Sequence, residues 1–152
     1  MTDREAIQRL LHAYSDTIDR GDFAATGELF APQGVYGIAG RSRVAVGPSA
    51  VTAALGDVRL YDGVPRTRHI VSNVDIDLAD DARSAMVQSY VHVLHQPPGG
   101  PIITIAAGTY HDRVHLVDGR WRFAERRMHI ELVGDMSTHT HHDPFRSSRT
   151  SG

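Results

Sequence analysis

The sequence predicts an α+β fold: three helices interleaved with a small hairpin, followed by a four-stranded antiparallel meander. Three observations carry this prediction. An apolar stripe at helical spacing opens the chain, and four long strand-like runs separated by turn residues fill its second half. The 14 glycines, in addition, cluster at turns, as expected of a protein built from hairpins.

Thr2-Asp3-Arg4-Glu5 reads as a capping box, with Thr2 as the cap and Glu5 reaching back to it. Ile7, Leu10, Leu11, Tyr14 and Ile18 then recur on one helical face, predicting a first helix over about residues 3–20. Gly21 ends it. Asp22 caps a second predicted helix over 23–31, closed by Pro32 and Gly34. Residues 35–38 and 43–46 read as two short strands joined at Ala39-Gly40. Gly47-Pro48-Ser49 starts a third helix running to about residue 55, with proline placed where a missing amide does no harm. A loop follows over 56–65.

Residues 67–78, 83–95, 102–116 and 120–133 are the four long strands. Their separators are Ala79-Asp80-Asp81, Pro97-Pro98-Gly99-Gly100 and the hairpin signal Asp118-Gly119. Strands of ~12 residues exceed the usual ~5–6. At that length they must twist and curl, leaving a concave face for the helices to close. The first helix is expected to lie across that face.

The 152 residues make one domain, with no internal repeat. A hydrophobic content of 41% and a charged content of 22% are ordinary for a soluble globular protein. The net charge of -2 gives no reason to expect nucleic acid or an anionic membrane as partner. No run approaches the length of a membrane span, and Met1-Thr2-Asp3-Arg4-Glu5 is too polar to open a signal peptide. Without cysteine there is no disulfide, thiolate nucleophile or thiolate metal site. A cytoplasmic location is the expectation. The folded domain is expected to span 1–135, with 136–152 a polar, flexible C-terminal tail.

Asp19 falls in the last turn of the first helix, where the carbonyl end disfavours a carboxylate by up to roughly 1 kcal/mol. Either it is solvated at a fraying end, or it points between helix and sheet with a cation or imidazolium offsetting its charge. His69 lies in a strand-like run, either as a hydrogen-bonded core residue or as a general base oriented by a carboxylate. Tyr14 is on the apolar stripe, Tyr36 in the small hairpin and Tyr110 in the third long strand; each serves packing or a ligand. His92 shares a face with Tyr90 and is the favoured second histidine, His95 taking the other face. Adjacent Arg126 and Arg127 must face opposite ways, so one looks inward, to hold Asp19, to stabilise a leaving group or simply to form an ion pair. His139, His141 and His142 lie in the tail, without fixed acidic or thiolate ligands beside them, so no metal site is predicted. Phosphate loops, GxSxG elbows and dinucleotide fingerprints are absent, and no cofactor is expected.

The order of elements resembles the SnoaL-like branch of the nuclear-transport-factor-2-like superfamily over about residues 3–133. The residues that carry the resemblance are Glu5-Ala6-Ile7-Gln8, Tyr14-Ser15-Asp16-Thr17-Ile18-Asp19, Thr67-Arg68-His69-Ile70-Val71-Ser72-Asn73, Gly108-Thr109-Tyr110-His111-Asp112 and Asp118-Gly119-Arg120-Trp121-Arg122-Phe123. The resemblance implies a cone-shaped barrel: a strongly curved, mostly antiparallel sheet closed by three N-terminal helices around an apolar pocket, in a homodimer or homotrimer. Within the branch the chain is similar to three lyases, hexachlorocyclohexane dehydrochlorinase, scytalone dehydratase and bile-acid 7α-dehydratase. The dehydrochlorinase's aspartate–histidine base dyad matches Asp19 and His69, and its pocket arginine matches Arg126. The bile-acid enzyme's helical tyrosine matches Tyr14, and the second histidine of scytalone dehydratase falls near His92. The dehydrochlorinase's pocket cysteine and lysine have no counterpart here. What the resemblance implies is therefore a cofactor-independent lyase or isomerase acting on a small hydrophobic cyclic molecule. Its rivals are a non-catalytic binding module and a structural subunit resembling the β subunit of aromatic-ring dioxygenases.

Overall fold

Residues 1–145 are described by a computed structural model of the chain. Helix α1 spans Asp3–Asp19, and its N-terminus carries the capping box in full: Thr2 Oγ1 accepts from the Glu5 amide while the Glu5 carboxylate accepts from the Thr2 amide. Ile7, Leu11, Tyr14 and Ile18 form its buried stripe. The helix stops at Gly21, whose φ of +76° favours glycine, and where a Cβ would come within 2.3 Å of the Gly63 carbonyl oxygen.

Helix α2 covers only Phe23–Gly27, shorter than the 23–31 expected, because Phe30 has already joined the sheet. Phe30 is fully buried against Phe123, their ring centres 5.1 Å apart, and burying that ring outweighs continuing the helix. Strand β1 therefore runs Phe30–Ile38, β2 only Ala45–Val46, and helix α3 Pro48–Ala54, followed by a short 3-10 turn. Strands β3 (Thr67–Leu78), β4 (Ser84–His95), β5 (Ile103–Val117) and β6 (Arg120–Val133) lie within one residue of their predicted bounds.

All six strands form one sheet in the order β2-β1-β6-β5-β4-β3, with β1 parallel to β6 and every other pair antiparallel. The sheet is curled but not closed. Its curl has local causes: the register slips between Ser72 and Asp75, where Asn73 takes a φ of +50°, and again in the β4–β5 and β5–β6 ladders. Each extra residue bends the strand that carries it. Alternation then turns Val87, Val91 and Val93 of β4 toward α1, and Met86, Tyr90 and His92 away from it.

Gly108 sits at one such slip, opposite Ile130. A Cβ there would lie 2.1 Å from the His129 carbonyl oxygen and 2.8 Å from the Ile130 Cα, both backbone atoms that move only with the strand. Gly108→Ala is expected to cost about 1–3 kcal/mol, as overpacking does, visible as a lower thermal midpoint. An unchanged midpoint would contradict the close β5–β6 approach.

Residues 136–145 differ from the polar tail expected of them. Met136 and His139 are buried, and Thr140 bridges Val58. The Arg59 amide donates to the His139 carbonyl at 2.7 Å, and the His141 amide to the Asp57 carbonyl at 2.9 Å. The segment packs as a strap over the open side of the curled sheet because its backbone finds partners in the loop after α3. The rest of the expected tail, 146–152, lies outside the described residues. No helix among the described residues is long and apolar enough to cross a membrane.

Candidate active site

Asp19 ends α1 beside the start of β3, where Thr67 and His69, two apart on a strand, face it together. Its Oδ1 accepts from the Thr67 hydroxyl at 2.8 Å and lies 2.7 Å from His69 Nδ1; its Oδ2 accepts from the His69 amide at 2.9 Å. Burial opposes charge on this carboxyl. The His69 side chain and backbone together with Thr67 outweigh that and hold its pKa below the ordinary value. An ionised Asp19 accepts a hydrogen bond from Nδ1–H, and in that tautomer the Nε2 lone pair of His69 is unused by the dyad. Nε2 has no hydrogen-bond partner among the described residues, and His69 lines a cavity.

That cavity has a volume of about 700 Å³ and lies between α1, the concave face of the sheet and the strap. Val91, Val93, Ile105 and Ile130 make its aliphatic wall, and Tyr14, Tyr36 and Tyr110 an aromatic one. The Tyr14 hydroxyl donates to that of Tyr36 at 3.0 Å, and the Tyr14 and Tyr110 rings meet edge-on at 5.9 Å. Burial is the main reason all three phenols have raised pKa values. They are therefore hydrogen-bond donors at neutral pH, not bases. Asp19 also borders a smaller, open groove of about 420 Å³, which His69 does not line.

Two expected site residues are elsewhere. Arg126 faces inward, but it is fully buried and is not on the cavity wall. Its Nε and Nη2 each donate to Asp112 at 2.8 Å, and its Cζ lies 3.8 Å from the Tyr110 ring centre and 4.2 Å from that of Tyr14. It neither holds Asp19 nor can reach a leaving group, since its partners are Asp112 and the aromatic rings. Strand alternation required one of Arg126 and Arg127 to face inward; the structure makes it Arg126 and adds the rings stacked on it. His92 is the second correction: it is exposed on the outer face of β4, sharing a hydrogen bond with the Thr104 hydroxyl at 2.8 Å. The inner position belongs to His95, whose Nδ1 donates to the Arg66 carbonyl and whose Nε2 meets the Thr138 hydroxyl.

His139 is the cavity residue that sequence reasoning missed. It lies in a polar stretch without strand or helix periodicity, and only Met136 three residues earlier hints at a buried side. Burial, then the neighbouring His69 and His95, push its pKa from 6.5 to about 4, with Asp19 opposing. Between those values the unfolded chain binds a proton that the native chain refuses, so stability falls as pH drops from about 6.5 to about 4. The loss amounts to up to about 3 kcal/mol. Chemical denaturation at pH 7 and pH 4.5 should show a smaller loss in His139→Gln than in wild type. Equal losses would refute the buried neutral imidazole.

The sequence model of the SnoaL-like domain matches residues 1–127. Among solved structures, a candidate scytalone dehydratase from Novosphingobium aromaticivorans is 27% identical, with a TM-score of 0.72 over 87% of this chain and 86% of that one. An NTF2-like protein with a cystatin-like fold from the same organism is 21% identical, with a TM-score of 0.73 over 90% and 86%. The β subunit of a candidate aromatic-ring-hydroxylating dioxygenase, also from that organism, is 17% identical, with a TM-score of 0.70 over 90% and 94%. The last two likenesses are of fold alone. No curated protein matches this sequence at a significant level.

Proposed function

This chain belongs to the SnoaL-like family, and on that premise we propose that its cavity is the site of a dehydratase-like lyase or isomerase, working without a cofactor on a small hydrophobic cyclic molecule. The observation that carries the reading is the 2.7 Å contact between Asp19 and His69 Nδ1, with His69 on the cavity wall. His69 Nε2 takes a proton from a carbon next to a carbonyl, and Asp19 stabilises the imidazolium that results. The electron pair left behind moves onto the carbonyl oxygen. Tyr36, whose hydroxyl accepts from Tyr14 and keeps its own proton free, is the donor suited to that oxyanion, with Tyr14 supporting it from behind. Arg126 stands behind Tyr14 and Tyr110, where its positive charge favours negative charge developing near their hydroxyls. In an isomerisation the proton returns to another carbon; in a dehydration it leaves with the released hydroxide as water.

The test is solvent deuterium exchange into a panel of small cyclic ketones and β-hydroxyketones, followed by mass spectrometry. Wild type is expected to exchange or dehydrate at least one, and His69→Gln none. Ligands bound and recovered unexchanged by wild type would favour the binding-module reading instead. The structural-subunit reading requires a filled interior with Asp19 and His69 apart, and the open cavity and their contact weigh against it. Self-association fits the outer face of the sheet, where exposed Ile70 and Leu132 lie in one register row with His92 and Ala107.

A further inference from the structure

Most residues that line the cavity are buried or half-buried, but Arg41, Arg43, Ala53 and Ala54 are exposed, and these therefore mark its mouth. The alanines end α3, and the arginines lie on the connection between β1 and β2, which turns at Gly40 with a φ of +76°. Arg41, Arg43 and Asp57 are the lining residues that carry formal charge. The Asp57 carboxylate is already engaged: it accepts from the His142 amide at 3.1 Å and lies 2.7 Å from His142 Nδ1. Neither arginine side chain has an ion pair or hydrogen bond among the described residues. A chain of net charge -2 thus presents two unpaired cations at the entrance to a largely apolar chamber. Such an entrance concentrates anions locally, whatever the sign of the whole molecule.

We infer that Arg41 and Arg43 form a carboxylate subsite at the mouth, so that the ligand is a ring compound bearing an acid on a short side chain. The ring is suited to the aliphatic and aromatic walls. The carboxylate is not, because an ion taken among them would lose its hydration without gaining a cation. At the mouth it stays partly hydrated and meets guanidinium groups, whose planar forks match both of its oxygens. Holding the acid outside orients the ring inward, toward His69.

The inference refines the proposed function and rests on the cavity being a ligand site, but not on turnover. Its test uses the full chain and calorimetry with 2-naphthylacetate and 4-(2-naphthyl)butyrate, each against its own primary amide, which has the same shape without the charge. Wild type is expected to prefer at least one acid over its amide by about tenfold in dilute buffer, the worth of a hydrogen bond to a charged group. That preference should shrink severalfold at about 300 mM salt, since the mouth is exposed. The double variant Arg41→Gln with Arg43→Gln should bind acid and amide alike, and its amide affinity and thermal midpoint should stay near wild type, because both side chains are exposed. Arg83→Gln with Arg120→Gln removes the same charge from residues that do not line the cavity, and should keep the preference. Equal acid and amide affinities in wild type would overturn the inference, as would a preference that survives the mouth variant or is lost equally in the control. Binding of neither probe would overturn it together with the ligand cavity, whereas amide binding without acid preference would leave the cavity standing. Missing deuterium exchange in wild type would sink the base assignment alone, since the affinity ratio does not depend on it.

Discussion

An Asp19→Asn variant is expected to fold normally and to lose about 10²–10⁴ in the rate of proton exchange at carbon, the usual worth of a positioned general base. The carboxylate accepts from three donors, the His69 amide, the His69 ring and the Thr67 hydroxyl. Asparagine has nearly the same shape but one acceptor oxygen and one donor amide, so only part of that set can be kept. An amide donating to Nδ1 would move the ring proton to Nε2, placing hydrogen where the substrate's proton has to arrive. Charge matters as well, because the imidazolium formed in the reaction would lose its counterion. The two effects act on the rate far more than on stability. Circular dichroism and thermal unfolding should therefore be near wild type while exchange collapses. Full exchange in a folded Asp19→Asn protein would remove Asp19 from the mechanism.

Arg126→Met is expected to be the most destabilising single change, by about 3–5 kcal/mol. Arg126 and Asp112 have essentially no exposed surface, and the variant leaves the Asp112 carboxylate buried without its cation. In a chain of this size the thermal midpoint should fall by roughly 10 °C or more. The rings of Tyr14, Tyr110 and Phe123 also lose the guanidinium stacked on them. The double change Arg126→Met with Asp112→Leu should recover much of the loss, because a buried ion pair replaced by apolar groups of similar volume is often neutral. A single variant within about 1 kcal/mol of wild type would mean that the pair is solvated and not part of the core.

Much of the architecture was legible because it rests on local rules. The capping box and apolar stripe define α1, and turn residues bracket β3 to β6 to within a residue. Helix α2 was overestimated because Phe30 is drawn into a parallel pairing with Phe123, a contact across some ninety positions that no local pattern encodes. The site divides in the same way. Alternation correctly grouped His92 with Tyr90, but which face of β4 looks inward depends on where α1 packs. For the Arg126–Arg127 pair, alternation required one to face inward without saying which, and Arg126's partner Asp112 and the tyrosines stacked on it come from two other elements, β5 and α1. His139 left almost no trace, since the strap is held by backbone bonds to the loop after α3 and not by periodic side chains.

By itself, then, the sequence determined most of the elements and their order, because helix caps, apolar periodicity and turn chemistry act over a few residues, while the family was reached through the resemblance of its motifs. Only the tertiary structure decided which polar groups share the cavity: His139 and Thr140 are in it, His92 is outside, and Arg126 is sealed behind its wall. The reason is physical. Whether a polar side chain is solvated, paired in the core or aimed at a ligand depends on neighbours that arrive from distant parts of the chain, and burial multiplies the consequence of each one.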